Sequence, residues 1–239
     1  YAVPPQYYPL ARQANFAKYM QKMGHTVTIF AASTVHNSDK NLITDGQKWR
    51  EETVDGIHIH RLKYLQLGRK GFVSRLINYF SFTFMVFLNL WRFRNYRAVV
   101  VYSNPPILPW IASWAKVLFG TKLIFVSYDL YPEVATVTNT LREGNIICRL
   151  MNHINKCVFR RADSVVALSS EMKDYILQHR DITAEKVTVI PNWYEDKGEP
   201  SRDLTDNVFW EAADGKFVVS YFGNMGTMQD MDTILGAIR

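Results

Sequence analysis

The sequence has few cysteines, opening residues unlike a secretion signal and no long apolar run, and each of these features argues against a class of protein. Its two cysteines, Cys148 and Cys157, fit neither a disulfide framework nor a metal-binding spacing, which favours a reducing, cytosolic setting. The opening residues, YAVPPQYYPLARQ, lack the basic and apolar regions of a secretion signal. Since 48% of the 239 residues are hydrophobic, a globular core is expected and a disordered or fibrous chain is excluded.

Acidic residues are absent from a long internal segment, Gly56 to Tyr128, which contains ten basic residues. The rest of the chain holds the other 18 of the 28 basic residues and all 22 acidic residues. The net charge of +6 therefore combines a strongly basic segment with a weakly acidic remainder. This asymmetry indicates an anionic partner, either a membrane surface or a nucleic acid, although a solvated basic face without a partner would give the same pattern.

The basic segment also contains an uncharged, aromatic-rich run of 16 residues, 76–91. A membrane-spanning helix needs about 18 to 20 apolar residues, so a span is not expected. Two interpretations stay open: a segment lying in the surface of an anionic membrane, or a helix buried against the sheet with a solvated basic rim. The cations assigned to a membrane surface are Arg69, Lys70, Arg75, Arg92, Arg94 and Arg97. Nucleic acid is not expected as a partner, because the aromatic residues are not interleaved with the cations.

Short β-branched runs alternate with helical patterns along most of the chain. The predicted strands are HTVTIFAA, RAVVVYS, TKLIFVSYD, DSVVALS and KVTVIPN. The predicted helices are ARQANFAKYMQKMG, ILPWIASWAKVLFG, NIICRLMNHINKCVFRRA and SSEMKDYILQH. A hairpin is predicted at EETVDGIHIHRL, with its turn at Asp55 and Gly56. This alternation predicts an α/β fold with a mostly parallel sheet covered on both faces.

A polar, acidic stretch that begins at residue 194 has the composition of an exposed linker. We therefore divide the chain into a first domain at 1–193, a linker at 194–215 and the start of a second α/β domain at 216–239. In the last segment an apolar strand leads through a glycine turn into a helix, whose free amides would favour a phosphate. The candidate phosphate-binding residues are Gly223, Asn224, Met225 and Gly226. Two glycines that only permit a tight turn would explain the same pattern.

A second candidate site lies in VSYDLYPEVA, just past the carboxyl end of a predicted strand, where open α/β sheets bind ligands. Asp129 would orient or deprotonate an acceptor hydroxyl, and Glu133 would bind one. A helix N-cap and a first-turn acid beside Pro132 would equally account for the two carboxylates. Neither belongs to an Asp-x-Asp pair and the six histidines lack ligand spacing, so no metal site is predicted.

Five segments occur in the order and spacing of bacterial family 4 glycosyltransferases with the GT-B fold: MGHTVTIF, SYDLYPEVA, ADSVVALSSEMKDYI, VIPNW and FVVSYFGNMGTMQDMDTILGAI. The sequence resembles especially the members that build cell-surface polysaccharides on a lipid carrier. The resemblance implies two Rossmann-like domains facing across a cleft, with the acceptor mostly on the first and the nucleotide-sugar donor mostly on the second. By the same resemblance, the chain holds most of the acceptor domain and only the start of the donor domain.

The resemblance implies a retaining glycosyltransferase that uses neither a cofactor nor a metal. It would move a hexose from a nucleoside diphosphate, expected to be UDP, to a lipid-linked or polysaccharide acceptor at the cytoplasmic face of the plasma membrane. Most donor contacts are expected beyond Arg239, so the chain by itself is expected to transfer no sugar. The alternative is a non-catalytic sugar- or nucleotide-binding subunit that recruits an enzyme to membranes.

The sequence departs from the family pattern in three places. The strand that is usually found ahead of YAVPPQYYP does not appear, so the sheet is expected to lack one central strand unless the sequence was trimmed. Tyr8 and Pro9 stand where paired glycines usually approach the donor, so a phosphate contact is in doubt there, and Arg12 nearby is a candidate acceptor contact. Tyr128 stands where many members have a histidine. Because a tyrosine also donates a hydrogen bond to a sugar hydroxyl, Tyr128 and Asp129 are the candidate catalytic residues.

Overall fold

The computed structural model describes residues 11–33, 49–65, 67, 72–138, 141–192, 216–218, 221 and 229–237. Four helical residues are described by their backbone only: Ala11, Arg12, Phe72 and Arg75. Within this part of the chain the fold is α/β, and its strands form two sheets.

The smaller sheet has three strands in the order β1-β3-β2. It follows helix α1, and its elements are α1 (Ala11–Lys22), β1 (Thr28–Ala32), β2 (Trp49–Val54) and β3 (Ile57–Leu62). β1 runs parallel to β3, and β2 runs antiparallel to it. Asp55 and Gly56 connect β2 to β3 with φ angles of 51° and 78°, as a two-residue hairpin turn requires. The predicted hairpin is therefore confirmed.

The larger sheet has four strands, all parallel, in the order β4-β5-β6-β7. They are β4 (Ala98–Tyr102), β5 (Lys122–Ser127), β6 (Ser164–Ala167) and β7 (Val187–Val189). Each coincides with a predicted strand, and the parallel order confirms the Rossmann-like α/β class. Among the described residues no strand joins β1 to β4, so the parallel strands are divided between two sheets.

Most of the helices lie between these strands in the chain, and two of them begin or end at a capping residue. They are α2 (Phe72–Leu88), α3 (Leu108–Phe119), α4 (Glu133–Val137), α5 (Ile146–Arg161), α6 (Ser170–His179) and α7 (Met231–Ala237), with a 3-10 helix at Leu90–Asn95. Ser169 caps α6, since its side chain accepts a hydrogen bond from the Met172 amide at 3.2 Å. Gly120 ends α3 at a φ of 72°, which favours glycine. Both residues lie at the ends of the predicted helical segments.

The main core lies between the four-stranded sheet and the helices α3, α5 and α6. Side chains along β5 alternate in burial, and Phe125 of this strand packs edge-on against Phe159 of α5 at 5.3 Å between ring centroids. A second cluster lies between the two sheets, because Phe30 of β1 and Val99 of β4 both pack against it. Phe30 lies edge-on to Phe93 of the 3-10 helix at 4.8 Å between ring centroids. The parallel pairing of β4 with β5 places their carboxyl ends side by side.

The domain division stays a prediction. The whole of the predicted linker, 194–215, and the candidate phosphate-binding turn, 223–226, lie outside the described residues. α7 falls within the helix predicted after that turn.

Candidate functional site

A buried serine fixes the start of the loop that carries the candidate catalytic residues. Tyr102 at the end of β4 lies opposite Val126 near the end of β5, so the two strands finish together. Ser103, which is 2% exposed, follows β4 directly. Its Oγ accepts hydrogen bonds from the backbone amides of Tyr128 and Asp129, each at 3.1 Å. The turn after β5 is thereby tied to the neighbouring strand.

The carboxylate of Asp129 lies half-buried at this edge. No residue of the described part of the chain donates a hydrogen bond to it, and burial raises its pKa above the ordinary value for aspartate. The interpretation of Asp129 as a helix N-cap is wrong, because α4 begins at Glu133 after Pro132 and has no side-chain cap. An unpaired, partly buried carboxylate in this position is typical of a ligand-binding or catalytic group.

Three tyrosines lie at this edge of the sheet: Tyr102, Tyr128 and Tyr131. The ring of Tyr128 stacks on that of Tyr102, with centroids 5.5 Å apart and planes 11° apart. Burial, with a smaller contribution from Tyr128, raises the pKa of Tyr102 to about 12. Burial also raises the pKa of Tyr131 to about 12, assisted by Asp129 and by Tyr79 of α2. The hydroxyls of Tyr102 and Tyr131 therefore stay protonated and able to donate hydrogen bonds at neutral pH.

Tyr102 and Tyr131 were not among the predicted site residues. The signal that would have found Tyr102 is its position at the carboxyl end of the predicted strand RAVVVYS, since ligands bind at the carboxyl ends of strands in open α/β sheets. Tyr131 lies in the quoted VSYDLYPEVA segment. Its interaction with Tyr79 of α2 distinguishes it from an ordinary turn residue, and the sequence does not show that interaction.

The carboxylate of Glu133 is paired with side chains of the protein. Its Oε1 accepts hydrogen bonds from Arg180 Nη2 at 2.5 Å and from the Tyr175 hydroxyl at 3.1 Å. Its Oε2 is buried without a partner. Glu133 is also the first residue of α4, as the first-turn interpretation predicted. Its role in acceptor binding stays a prediction, and the structure gives it internal partners.

The side chains of the other predicted contact residues are not described, so the structure does not place them at this edge. Arg12 lies in the first turn of α1, but its side chain is outside the described part of the structure. The same holds for the whole of 223–226. In the described residues no three His, Cys, Asp or Glu side chains are grouped as metal ligands would be.

Helix α2 is packed on one face and exposed on the other. Asn78, Thr83 and Val86 are buried. The exposed stripe recurs every three or four residues, and we call it the α2 surface: Val73, Leu76, Phe80, Phe84, Phe87 and Trp91. Phe84 is 57% exposed and Val73 is 66% exposed, so a helix buried all round is excluded. None of the described helices has both the length and the apolarity that crossing a membrane requires.

The cations predicted to flank this helix differ in how far they are engaged. Arg94 and Arg97 are exposed, and Arg94 lies 5.5 Å from the ring centroid of Trp91. Arg92 is less exposed and lies over the rings of Trp49 and Trp91, at 4.8 and 5.1 Å, and 3.5 Å from a carboxylate oxygen of Glu51. Its guanidinium is therefore engaged within the protein. Arg69 and Lys70 lie outside the described residues, and Arg75 is placed on α2 by its backbone alone.

The fold and the geometry define an α/β protein with a candidate ligand site at the carboxyl edge of a parallel sheet. The chain belongs to the glycosyl transferase 4-like domain family, whose model matches residues 11–193. It is also similar to a probable glycosyltransferase, WbjE, of Pseudomonas aeruginosa, with 26% identity over 150 residues. That match covers 62% of this chain and 37% of the relative, so it spans little more than a third of that protein. The family resemblance read from the five segments is confirmed.

Proposed function

We propose that the protein containing this chain transfers a hexose from a nucleoside diphosphate, UDP in our expectation, to a lipid-linked or polysaccharide acceptor. The observation that carries the proposal is the unpaired, half-buried carboxylate of Asp129 at the carboxyl edge of the sheet, in a chain of the glycosyl transferase 4-like family. Ligands of open parallel sheets bind at this edge.

In the proposed reaction, the bond from the anomeric carbon to the diphosphate breaks and an acceptor oxygen takes its place, with retention of configuration. Asp129 orients or deprotonates the acceptor hydroxyl, and its raised pKa moves it towards the range in which a carboxylate accepts a proton at neutral pH. Tyr128 donates a hydrogen bond to a sugar hydroxyl. The leaving diphosphate is held by residues 223–226 and by groups beyond Arg239 without a metal.

The acceptor is proposed to reach Asp129 from the cytoplasmic face of the plasma membrane, on which the α2 surface would lie. Exposed aromatic and aliphatic side chains insert into the boundary between lipid headgroups and chains, and Arg94 and Arg97 would attract anionic headgroups. Since Tyr79 of α2 contributes to the raised pKa of Tyr131, the helix passes close to the site. A saccharide on a lipid carrier would then need no large displacement to reach the carboxylate.

Replacing Asp129 by asparagine in the complete protein tests the catalytic part. We expect transfer to fall by about 10²- to 10⁴-fold, the usual contribution of a positioned acid or base, with donor binding retained. The assay is transfer from radiolabelled UDP-hexoses to a membrane extract, and Asp163→Asn is the control aspartate at the opposite edge of the sheet. Unchanged transfer by a folded Asp129→Asn protein would contradict the assignment.

Sedimentation with vesicles tests the membrane part. Replacing Arg94 and Arg97 by glutamine removes about 1 kcal/mol of attraction per cation, so affinity for anionic vesicles should fall about 30-fold. Replacing Phe80, Phe84 and Phe87 by serine should abolish binding. Met23→Ser, which changes an exposed apolar side chain on α1, is the control and should bind normally. Equal binding of the unaltered protein to neutral and anionic vesicles, unaffected by salt, would refute an electrostatic surface.

A further inference from the structure

The loop that carries Asp129, residues 128–133, is fixed at both of its ends. Ser103 holds the first two amides, as described above. Arg180 and Tyr175 hold the side chain of Glu133 at the other end. Between these ends, the carboxylate of Asp129 has no hydrogen-bond donor among the described residues. Its position is therefore determined by the backbone of the loop.

Two buried side chains converge on a single backbone oxygen of this loop, the carbonyl of Tyr131. Asn155 of α5 donates from Nδ2. Arg180, which follows α6, donates from Nη2 at 3.3 Å, and the same nitrogen donates to Glu133. Asn155 is 8% exposed and the Arg180 side chain is 6% exposed. The two helices thus reach the residue that lies two positions after Asp129.

These contacts are poorly arranged for stability alone. Nε of Arg180 and Oε2 of Glu133 are buried without a hydrogen-bond partner. A buried ion pair that leaves polar atoms unpaired loses much of its attraction to the cost of removing charges from water. Apolar side chains of similar volume would stabilise a core at least as well as this ion pair. The surroundings already include an aromatic ring, since the Arg180 guanidinium lies 5.8 Å from the ring centroid of Phe159. What the ion pair does supply is a fixed loop.

We propose that Asn155 and Arg180 are positioning residues, which hold the Tyr131 carbonyl and thereby aim the carboxylate of Asp129 at the acceptor. The inference rests on the proposed function for its effect on transfer, but its structural part is independent of it. An error of about 1 Å in the position of a reacting group costs about 10²-fold in rate. Loss of either donor should therefore lower turnover more than it weakens acceptor binding.

Hydrogen exchange of the complete protein tests the structural part. Arg180→Met and Asn155→Ala should speed exchange of the amides from Asp129 to Val134 at least tenfold, with amides of β5 and β6 unchanged. Arg161→Met is the matched control: Arg161 donates to Ser113 Oγ at 3.0 Å and lies over the ring of Trp114, away from the loop. It should leave exchange in the loop unaltered. Unchanged exchange in both test variants would overturn the proposal.

Steady-state transfer tests the functional part. In Arg180→Met and Asn155→Ala, kcat should fall about 10- to 100-fold while the acceptor KM changes less than about twofold. Arg180→Lys keeps a cation for Glu133 and should recover part of kcat, which also guards against misfolding of Arg180→Met. Normal kcat in folded variants whose loop exchanges faster would overturn the proposal. If the unaltered protein transfers no sugar, the proposed function fails, and hydrogen exchange still decides whether the two residues hold the loop.

Discussion

Each end of the four-stranded sheet carries an aspartate, and the surroundings shift the two carboxylates in opposite directions. At the amino edge, Asp163 accepts hydrogen bonds from Lys116 Nζ at 2.6 Å and from the Leu123 amide at 2.8 Å. Burial alone would raise the pKa of Asp163, but these donors outweigh it and hold the pKa below the ordinary value. At the carboxyl edge, Asp129 has no such donors within the described residues, and burial raises its pKa.

This difference distinguishes a carboxylate that stabilises the fold from one that is available to bind a ligand. Asp163 joins α3 to the start of β5 and β6, so its charge is satisfied by the fold itself. The carboxylate of Asp129 is partly desolvated and has no hydrogen-bond donor among the described residues. This arrangement is unfavourable for folding, but it leaves the carboxylate available to bind a hydroxyl. The same contrast recurs within one loop, since Glu133 is paired with Arg180 and Tyr175.

The largest effect on stability is expected at the serine that holds the carboxyl edge. Ser103→Ala leaves the amides of Tyr128 and Asp129 without an acceptor and should lower the free energy of unfolding by about 2 kcal/mol. Transfer should fall as well, because the Asp129 loop loses its first anchor. Chemical denaturation measures the first quantity.

Thr121→Val is the control at the amino edge, where Thr121 Oγ1 donates to the Phe93 carbonyl at 3.2 Å. It should lower stability by about 1 kcal/mol and leave transfer unchanged. If both variants lowered transfer equally, the distinction between the two edges would be lost.

A smaller effect is expected when the paired aspartate is neutralised. Asp163→Asn weakens two hydrogen bonds of a carboxylate that is about one-third exposed, so a loss of about 1 kcal/mol is expected at neutral pH. Because the folded pKa is depressed, the stabilisation is present above the unfolded pKa and disappears as the pH falls through the folded value. Unfolding midpoints of the variant and the unaltered protein should therefore converge in acid. A constant difference across the pH range would point to packing instead.

The smallest effect, of opposite sign, is expected at Asp129. Its raised pKa means that its contribution to stability is present below the unfolded pKa and is lost as the pH rises through the folded value. Asp129→Asn should thus raise the unfolding midpoint slightly at neutral pH and change it little in acid. Thermal unfolding at several pH values measures this. A neutral-pH loss as large as that of Asp163→Asn would mean that Asp129 is a structural residue.

Local patterns in the sequence were sufficient to predict the strands, the Asp55-Gly56 turn, the helix that begins after Ser169 and the placement of Asp129 after a strand. Each depends on neighbouring residues, where propensity and periodicity act directly. Ser103, Asn155 and Arg180 could not be predicted, because they lie 24 to 49 residues from the backbone groups they contact in the Asp129 loop. Only the tertiary fold brings them together.

The exposed face of α2 could not be predicted from the sequence either. A run rich in Phe and Leu fits a buried helix and a surface helix alike, and the packing of α3 and the 3-10 helix against one side decides which face is covered. The division of the strands between two sheets was not specified by the sequence either. Strand order depends on pairing between distant segments, which alternation of strands and helices does not determine.

The most direct test of the contrast between the two carboxylates is a carbon-13 NMR titration of the aspartate carboxyl groups, assigned with Asp129→Asn and Asp163→Asn. The measurement needs neither the donor nor the acceptor. We expect Asp129 to titrate above the ordinary aspartate value and Asp163 below it, in the same protein and the same experiment. A pKa of Asp129 at or below that of Asp163 would contradict the account, because the carboxyl-edge carboxylate would then be satisfied by the fold.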